Sequence, residues 1–272
     1  MHAILFDLDE TLVAQEQAFL AAYRDAGIAA TEAAPVVDAA AFARDLPAVA
    51  HEVFCASPIY AAVRRCCFGG RDVLWGDTSG DSPTLCQIAG AAPEYRAAVW
   101  QTVLHRHGVA DPELAQRLQE RFTATMLRQM AAFAEVRVTL ENLAGQARLG
   151  ILTNGMPGAQ GAKLRHLGLD RYFDVVVASA SVEVGKPARE IFEHALDRLQ
   201  VSPQEAVMVG DSLEGDIRGA ARVGLRTVWV NRQRAGAAAS PTDGCSAELP
   251  DLAALPSLLR GTLREPASRI ER

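Results

Sequence analysis

Five short apolar runs recur along the chain, each followed by a loop or a helix start. They are AILFDLD (3–9), LGILTNG (149–155), FDVVVAS (173–179), EAVMVGD (205–211) and LRTVWVN (225–231). Near-continuous Val, Ile and Leu over so few residues is what a parallel strand buried on both faces requires. Between the later runs the pattern turns helical. Leu164, Leu167 and Leu169 fall near helical spacing, and Gly168 offers a stop. Ile191, Ala195 and Leu199 recur after Pro187, which suits a first helical turn, and Ile217, Ala220 and Ala221 form a stripe ending at Gly224. Strands alternating with helices imply an α/β fold whose parallel sheet is covered on both faces, so that all strand carboxyl ends share one edge.

Residues 14–130 break that rhythm. The stretch is Ala-rich and helical, interrupted by a possible strand near Val73–Trp75 and one long loop, GGRD…GDTSGDSP (69–83). It reads as a helical subdomain inserted between the first strand and the remainder of the sheet, where it overhangs the strand ends. The expected division is a core of residues 1–13 and 131–257, a cap of 14–130, and a polar, Arg-rich tail of 258–272 whose end should fray.

Bulk properties narrow the classes. With 49% hydrophobic and 22% charged residues, 272 residues suit one large globular domain or a core with a smaller companion. A net charge of −6 without a long basic run disfavours nucleic acid as a partner, whereas a phosphorylated small molecule needs only a locally positive pocket. No basic segment leads into an apolar one near the start, and no window reaches about 18 uninterrupted apolar residues, so a cytoplasmic location without membrane contact is expected. The five cysteines, an odd number with Cys66 and Cys67 adjacent, make a poor disulfide framework and read as reduced, buried thiols. His105 and His107 belong to the end of a helix, where i and i+2 face apart, rather than to a metal site. The sequence does not fix an oligomeric state.

The chemistry concentrates at the strand ends. Asp7 and Asp9 share a strand face and should emerge together. Carboxylates so close call for a cation or for a shared proton, giving a metal-bound nucleophile beside a general acid/base. An Asx turn with Thr11 capping the next helix is the plainer alternative. Thr153 offers a hydroxyl to a phosphoryl oxygen, with the Asn154 and Gly155 amides beside it, although Asn-Gly is also a common turn. Lys186 supplies a compact positive charge that could equally be solvated. Asp211 could meet Asp7 around Mg2+, and Asp216, about one turn on, could orient Lys186 or the metal's waters. Ser212 and Glu214 could alternatively serve as an N-cap cluster.

Taken together, DxDxT, TNG, KP and GDSxxxD stand in this order, each at a predicted strand end. The pattern resembles the haloacid dehalogenase-like hydrolase superfamily over residues 1–13 and about 135–231. DLDETL and GDSLEGDIRGAARVGLRTVWVNR look most like its small-metabolite phosphatases, which act on phosphoglycolate, nucleotides and sugar phosphates. That resemblance implies a Rossmann-like doubly wound sheet with an inserted helical cap, a Mg2+ cofactor and an aspartyl-phosphate intermediate. It further implies Asp7 as nucleophile and Asp9 as general acid/base, its backbone carbonyl ligating the metal. Thr153 and the neighbouring amides would hold the phosphoryl oxygens, Lys186 would offset charge, and Asp211 would ligate Mg2+. Thr11, Ser212 and Asp216 would support from behind. Gly215 departs from the pattern, since many relatives carry Asn there.

Asp9 argues against a dehalogenase, because halide departs without a proton. A phosphomutase of the β-phosphoglucomutase kind would keep the same residues, and a catalytically idle binding protein would be expected to have lost one of them. A receiver domain also gathers carboxylates, Thr and Lys but lacks the long insertion. Substrate choice should fall to the cap, with Arg64, Arg65, Arg71, Trp75 and Asp77 as candidates around the long loop. Solvated arginines and a core Trp are the plainer reading of those five.

Overall fold

The computed structural model describes residues 2–232 and 244–260. Six strands, β1 (Ala3–Phe6), β2 (Arg148–Thr153), β3 (Val175–Ala178), β4 (Ala206–Gly210), β5 (Arg226–Val230) and β6 (Ala247–Leu249), form one sheet in the order β3-β2-β1-β4-β5-β6. Every pairing is parallel. All residues of β1, β2 and β4 are buried, as the apolar runs require. Alternation then divides β1 between two cores. Ile4 and Phe6 join a cluster with Leu140, Leu143, Leu164 and Leu255, while Ala3 and Leu5 join Ile191, Phe192, Ala195 and Leu199 on the opposite face.

Six helices follow β1: α1 (Gln15–Ala33), α2 (Ala39–Ala56), α3 (Tyr60–Arg65), α4 (Gly70–Trp75), α5 (Pro83–Arg106) and α6 (Pro112–Gln129). Asp38, Ser82 and Asp111 cap α2, α5 and α6, each accepting a hydrogen bond from a backbone amide three residues on. The chain leaves the sheet and returns at neighbouring points. Ala14 donates to the Ala131 carbonyl at 2.9 Å and Phe133 to that of Leu12 at 3.1 Å. Helix α7 (Val136–Leu143) leads into β2, α8 (Pro157–Leu167) joins β2 to β3, and α9 (Ser179–Val182) with α10 (Arg189–Leu199) joins β3 to β4. A π-helical turn at Leu213–Arg218, α11 (Gly219–Arg222) and, beyond β6, α12 (Leu255–Leu259) complete the described chain. No described helix is long and apolar enough to cross a membrane.

Several local expectations are corrected. Val73–Trp75 lies in α4, not in a strand; all three side chains are buried because α2, α5 and α6 surround the short helix. Part of the supposed loop 69–83 is therefore helical, leaving residues 76–82 as the connection between α4 and α5. Pro187 precedes Ala188, the N-cap of α10, and follows Lys186 through a cis peptide bond instead of opening the helix. Strand β6 escaped notice because three residues including Glu248 carry almost no pattern. Leu258 and Leu259 still belong to α12, and the rest of the expected tail, 261–272, lies outside the described residues. None of the five cysteines is paired, but Cys66 alone is buried, while Cys55, Cys67 and Cys86 are exposed and Cys245 is partly covered. His105 lies in the last turn of α5, and His107, its C-cap, faces Asp45 at 3.2 Å.

Strand order determines where a site can form. Strand β1 lies between β2 and β4, and the chain proceeds outward from it to β3 on one side and to β6 on the other. Such a reversal opens a crevice at the strand carboxyl ends.

Candidate active site

Asp7, Thr153 and Asp211 stand at the ends of three adjacent strands. Register explains their meeting: Phe6 pairs with both Ile151 and Val209, and the Asp7 amide extends the ladder to the Val209 carbonyl at 2.9 Å. Beyond Asp7 the chain folds into a tight turn in which the Leu12 and Val13 amides both donate to the Leu8 carbonyl. Glu10 adopts a left-handed conformation there, with φ 61°.

Lys186 arrives from the far side of β2. Its Nζ donates to Asp7 Oδ1 at 2.6 Å, to Asp216 Oδ1 at 2.6 Å and to the Leu152 carbonyl at 2.8 Å, which exhausts its three protons. The backbone of Lys186 is clamped by Asn154, whose Oδ1 accepts from the Lys186 amide at 2.8 Å and whose Nδ2 donates to its carbonyl at 3.1 Å. Asp216 is fully buried; its second oxygen accepts from the Ser212 amide at 3.0 Å. Gly210 makes room for that carboxylate, since a Cβ there would collide with it.

The charges do not balance. Oxygens of Asp7, Asp211 and Asp216 lie within 4.8 Å of one another, around one ammonium. Thr11 Oγ1 lies 3.2 Å from Asp7 Oδ2 and 3.0 Å from Asp211 Oδ1, yet a hydroxyl has one proton to give. One carboxylate oxygen therefore needs another positive partner. Burial pushes Asp7 well above the usual carboxylate range, more than Lys186 lowers it, with Asp216 and Asp211 adding to the rise. Asp211 is pushed up to about 6 by burial and by Asp216. Burial disfavours the Lys186 charge, but Asp216 and Asp7 outweigh it and hold the ammonium above its ordinary value. A hard divalent cation fits such a set of oxygen donors with an excess of negative charge.

Asp9 faces a different set of partners. Lys163 Nζ donates to its two oxygens at 2.7 and 2.9 Å, and Gln160 Nε2 donates to Oδ2 at 3.1 Å. The same Gln160 amide lies 2.7 Å from Thr153 Oγ1, and Lys163 also donates to Gln15 Oε1. The Gly155 amide, expected to meet phosphate, instead donates to Ser179 Oγ at 2.9 Å, and that hydroxyl donates to the Cys66 carbonyl at 2.6 Å.

A cleft of about 410 Å³ collects Asp7, Asp9, Thr153, Asn154, Lys186 and Asp211, together with Ser212 and Asp216. Of the five residues named around the long loop, Arg64 and Arg71 border it. Arg71 pairs with Glu16 at 2.8 Å and stacks 4.5 Å over Phe19. Arg65 instead donates to Thr84 at 3.0 Å and to the Glu183 carbonyl at 3.2 Å. Trp75 is buried, its ring 5.6 Å from Lys163 Nζ, and Asp77 accepts from the Ser79 amide at 2.9 Å. A second groove of about 550 Å³ between α1 and α2 meets the cleft at Gly69 and Arg71.

Sequence reading missed Gln15, Gln160, Lys163 and Ser179. A signal existed for two of them: Ala159, Gln160, Lys163 and Leu164 form the buried stripe of α8, so two polar residues occupy positions where periodicity calls for apolar ones.

Known proteins share the fold and the family. The model of the haloacid dehalogenase-like hydrolase family matches residues 1–224. Phosphoserine phosphatase of Thermus thermophilus is 33% identical over 97% of each chain. Among solved structures, a HAD phosphatase from Thermococcus onnurineus is 27% identical with a TM-score of 0.58, covering 99% of this chain and 100% of that one. A 2-haloacid dehalogenase from Pseudomonas syringae is also 27% identical, with a TM-score of 0.64 over 95% and 98% of the two chains.

Proposed function

The chain belongs to the haloacid dehalogenase-like hydrolase family, in its phosphatase branch, and from that premise we propose that it hydrolyses a small phosphomonoester through an aspartyl-phosphate on Asp7. The observation that carries the reading is the Asp7 carboxylate: it ends a central strand at the floor of the cleft, with Lys186 at 2.6 Å and Asp9 opening on the same space.

In this reading Asp7 attacks phosphorus in line while Lys186 offsets the negative charge gathering on the phosphoryl group. Thr153 and the Asn154 amide receive the phosphoryl oxygens. Asp9 gives a proton to the departing alkoxide and then takes one from the water that cleaves the acyl-phosphate. Asp216 and Ser212 keep Lys186 in place, Asp216 by an ion pair and Ser212 through its amide on the Asp216 carboxylate. Mg2+ is the cation assigned to Asp7, Asp211 and the Asp9 carbonyl, where it would supply positive charge between the carboxylates and the phosphate. Asp9 also supports phosphate hydrolysis over halide displacement, which has no use for an acid.

Residues 14–130 are assigned as the cap, which sets which leaving group is accepted. The groove between α1 and α2 extends the cleft and carries Arg24 and Arg44. Neither guanidinium has an ion-pair partner among the described residues. That lining supports a compact leaving group bearing an anionic substituent, and phosphoserine is the first substrate to assay, given the full-length relative. Release of inorganic phosphate from phosphoserine, phosphoglycolate, sugar phosphates and nucleotides, with and without EDTA, tests the proposal. Activity on one or more of these that disappears in Asp7→Asn supports it; a wild type silent across the panel with Mg2+ overturns it.

A further inference from the structure

We infer that Lys163 is a positioning residue for the reaction, holding the Asp9 carboxylate at a fixed distance from the phosphate-receiving end of β2. Its surroundings are unlike those of a surface lysine. The side chain is 2% exposed, its ammonium contacts both oxygens of Asp9, and the side-chain Oε1 of Gln15 accepts a further hydrogen bond. The Trp75 ring lies beneath it at 5.6 Å.

Gln160, one helical turn earlier on α8, completes the arrangement. Its amide nitrogen lies 2.7 Å from Thr153 Oγ1 and 3.1 Å from Asp9 Oδ2, so one group spans the hydroxyl assigned to the phosphate and the carboxylate assigned to the proton. Helix α8 begins four residues after Thr153, at Pro157, and the buried stripe of its first two turns is what delivers Gln160 and Lys163 to one point. Asp9 itself lies in the turn beyond β1, bridged to Val13 through the backbone, and that pairing leaves its side-chain χ angles unconstrained. Two anchors from a rigid helix supply the constraint that the turn lacks. General acid catalysis depends on hydrogen-bond reach, and in the acid step Asp9 carries its proton on Oδ1 while Lys163 and Gln160 hold Oδ2, so a carboxyl group free to rotate loses rate without losing substrate affinity.

The inference rests on Asp9 being the acid, and leaving-group chemistry separates the two ideas. Nitrophenolate departs without a proton, whereas an alkoxide needs one. With enzyme in excess, a single turnover reports only transfer of the phosphoryl group to Asp7. Lys163→Met is expected to slow this step about 10²-fold for an alkyl phosphate and less than about tenfold for p-nitrophenyl phosphate, with the alkyl KM little changed. In an Asp9→Asn background the same substitution should have almost no further effect on the alkyl substrate. Lys163→Arg should recover part of the alkyl rate, and Gln160→Leu should reproduce the alkyl-selective loss in smaller measure. Should Lys163→Met fail to fold by circular dichroism, the Arg and Gln160 variants carry the test.

Equal losses on both substrates, or losses that multiply with Asp9→Asn, would overturn the positioning role and leave a merely structural ion pair. An inactive wild type, or an Asp9→Asn enzyme without alkyl selectivity, would instead overturn the functional assignment on which the inference stands.

Discussion

The ammonium of Lys186 lies 2.6 Å from Oδ1 of Asp7 although the strand preceding Lys186 is separated from β1 by β2. The reach is possible because the segment after α9 folds back over the end of β2, where the Leu152 carbonyl and the Asn154 side chain receive it. The contact thus joins chain segments 179 residues apart and depends on the backbone of the strand between them.

Removing that ammonium should be more harmful than removing an ordinary buried lysine. Lys186→Met leaves three carboxylates gathered within 4.8 Å with no internal cation. A drop in kcat of about 10²- to 10³-fold is expected, with KM changed far less, since the charge opposes what develops in the transition state. Lys186→Arg should not restore activity, because a planar fork cannot replace one nitrogen serving three oxygens. Steady-state kinetics on a substrate accepted by the wild type decides this, and activity in the Met variant within about threefold of wild type would contradict it.

Metal dependence should be visible without turnover. A cation that binds only the folded form at about 100 times its Kd stabilises by about 2.7 kcal/mol. For a chain of this size that is a rise in Tm of about 5–10 °C. EDTA-treated protein titrated with Mg2+ should show the rise, and Asp211→Asn should abolish it while retaining its fold. A wild-type Tm indifferent to Mg2+ and Mn2+ alike would remove the metal from the site.

Much of this arrangement was legible beforehand, and the parts that were not share a cause. Asp7, Thr153 and Asp211 could be placed because a parallel sheet forces strand carboxyl ends to one edge, and polar residues there have few other reasons to follow apolar runs. The α/β fold itself followed from the same alternation. The apolar triplet Val73–Trp75 misled, because a short helix enclosed by three others buries consecutive residues as a strand would. Lys163 and Gln160 were overlooked because burial of a polar side chain is a tertiary fact: α8 presents them inward only because Asp9 and Thr153 are waiting there. Asn154 likewise could be assigned to phosphate through its amide, whereas its side chain turned out to brace the Lys186 backbone.

The raised carboxylates predict an unusual pH response in the metal-free protein. Asp211 moves from an ordinary 3.8 to about 6, so between those values the folded chain keeps a proton that the unfolded chain has released. Its contribution is fully present below pH about 4 and is lost as pH rises through about 6, a change of about 3 kcal/mol at most. Asp7, also raised, acts in the same direction. Groups such as Asp25 and Glu135 are lowered and act oppositely, losing their contribution as pH falls. The difference in Tm between wild type and Asp211→Asn isolates the effect: Asn should become relatively more stabilising as pH climbs from 4 to 7 in EDTA, and the trend should vanish or reverse with saturating Mg2+. A difference flat with pH in EDTA would show that Asp211 ionises normally.

The groove between α1 and α2 yields a prediction about selection rather than chemistry. Arg24 and Arg44 are exposed there without ion-pair partners among the described residues, while Arg71 at the junction with the cleft is already bound to Glu16. The two unpaired guanidinium groups can meet an anionic substituent on the leaving group as it projects away from Asp7. Because they lie outside the space where phosphorus reacts, their contribution is uniform binding, expressed in KM and not in kcat. Arg44→Ala and Arg24→Ala should each raise KM about three- to tenfold for a carboxylate-bearing phosphate such as phosphoserine, as expected of exposed charge pairs worth roughly 1 kcal/mol. The same variants should treat a neutral aryl phosphate like the wild type does, and the anionic preference should weaken with added salt. A KM for phosphoserine unchanged in both variants would remove the groove from substrate recognition and leave Arg64 and Arg71, at the cleft itself, to set the choice.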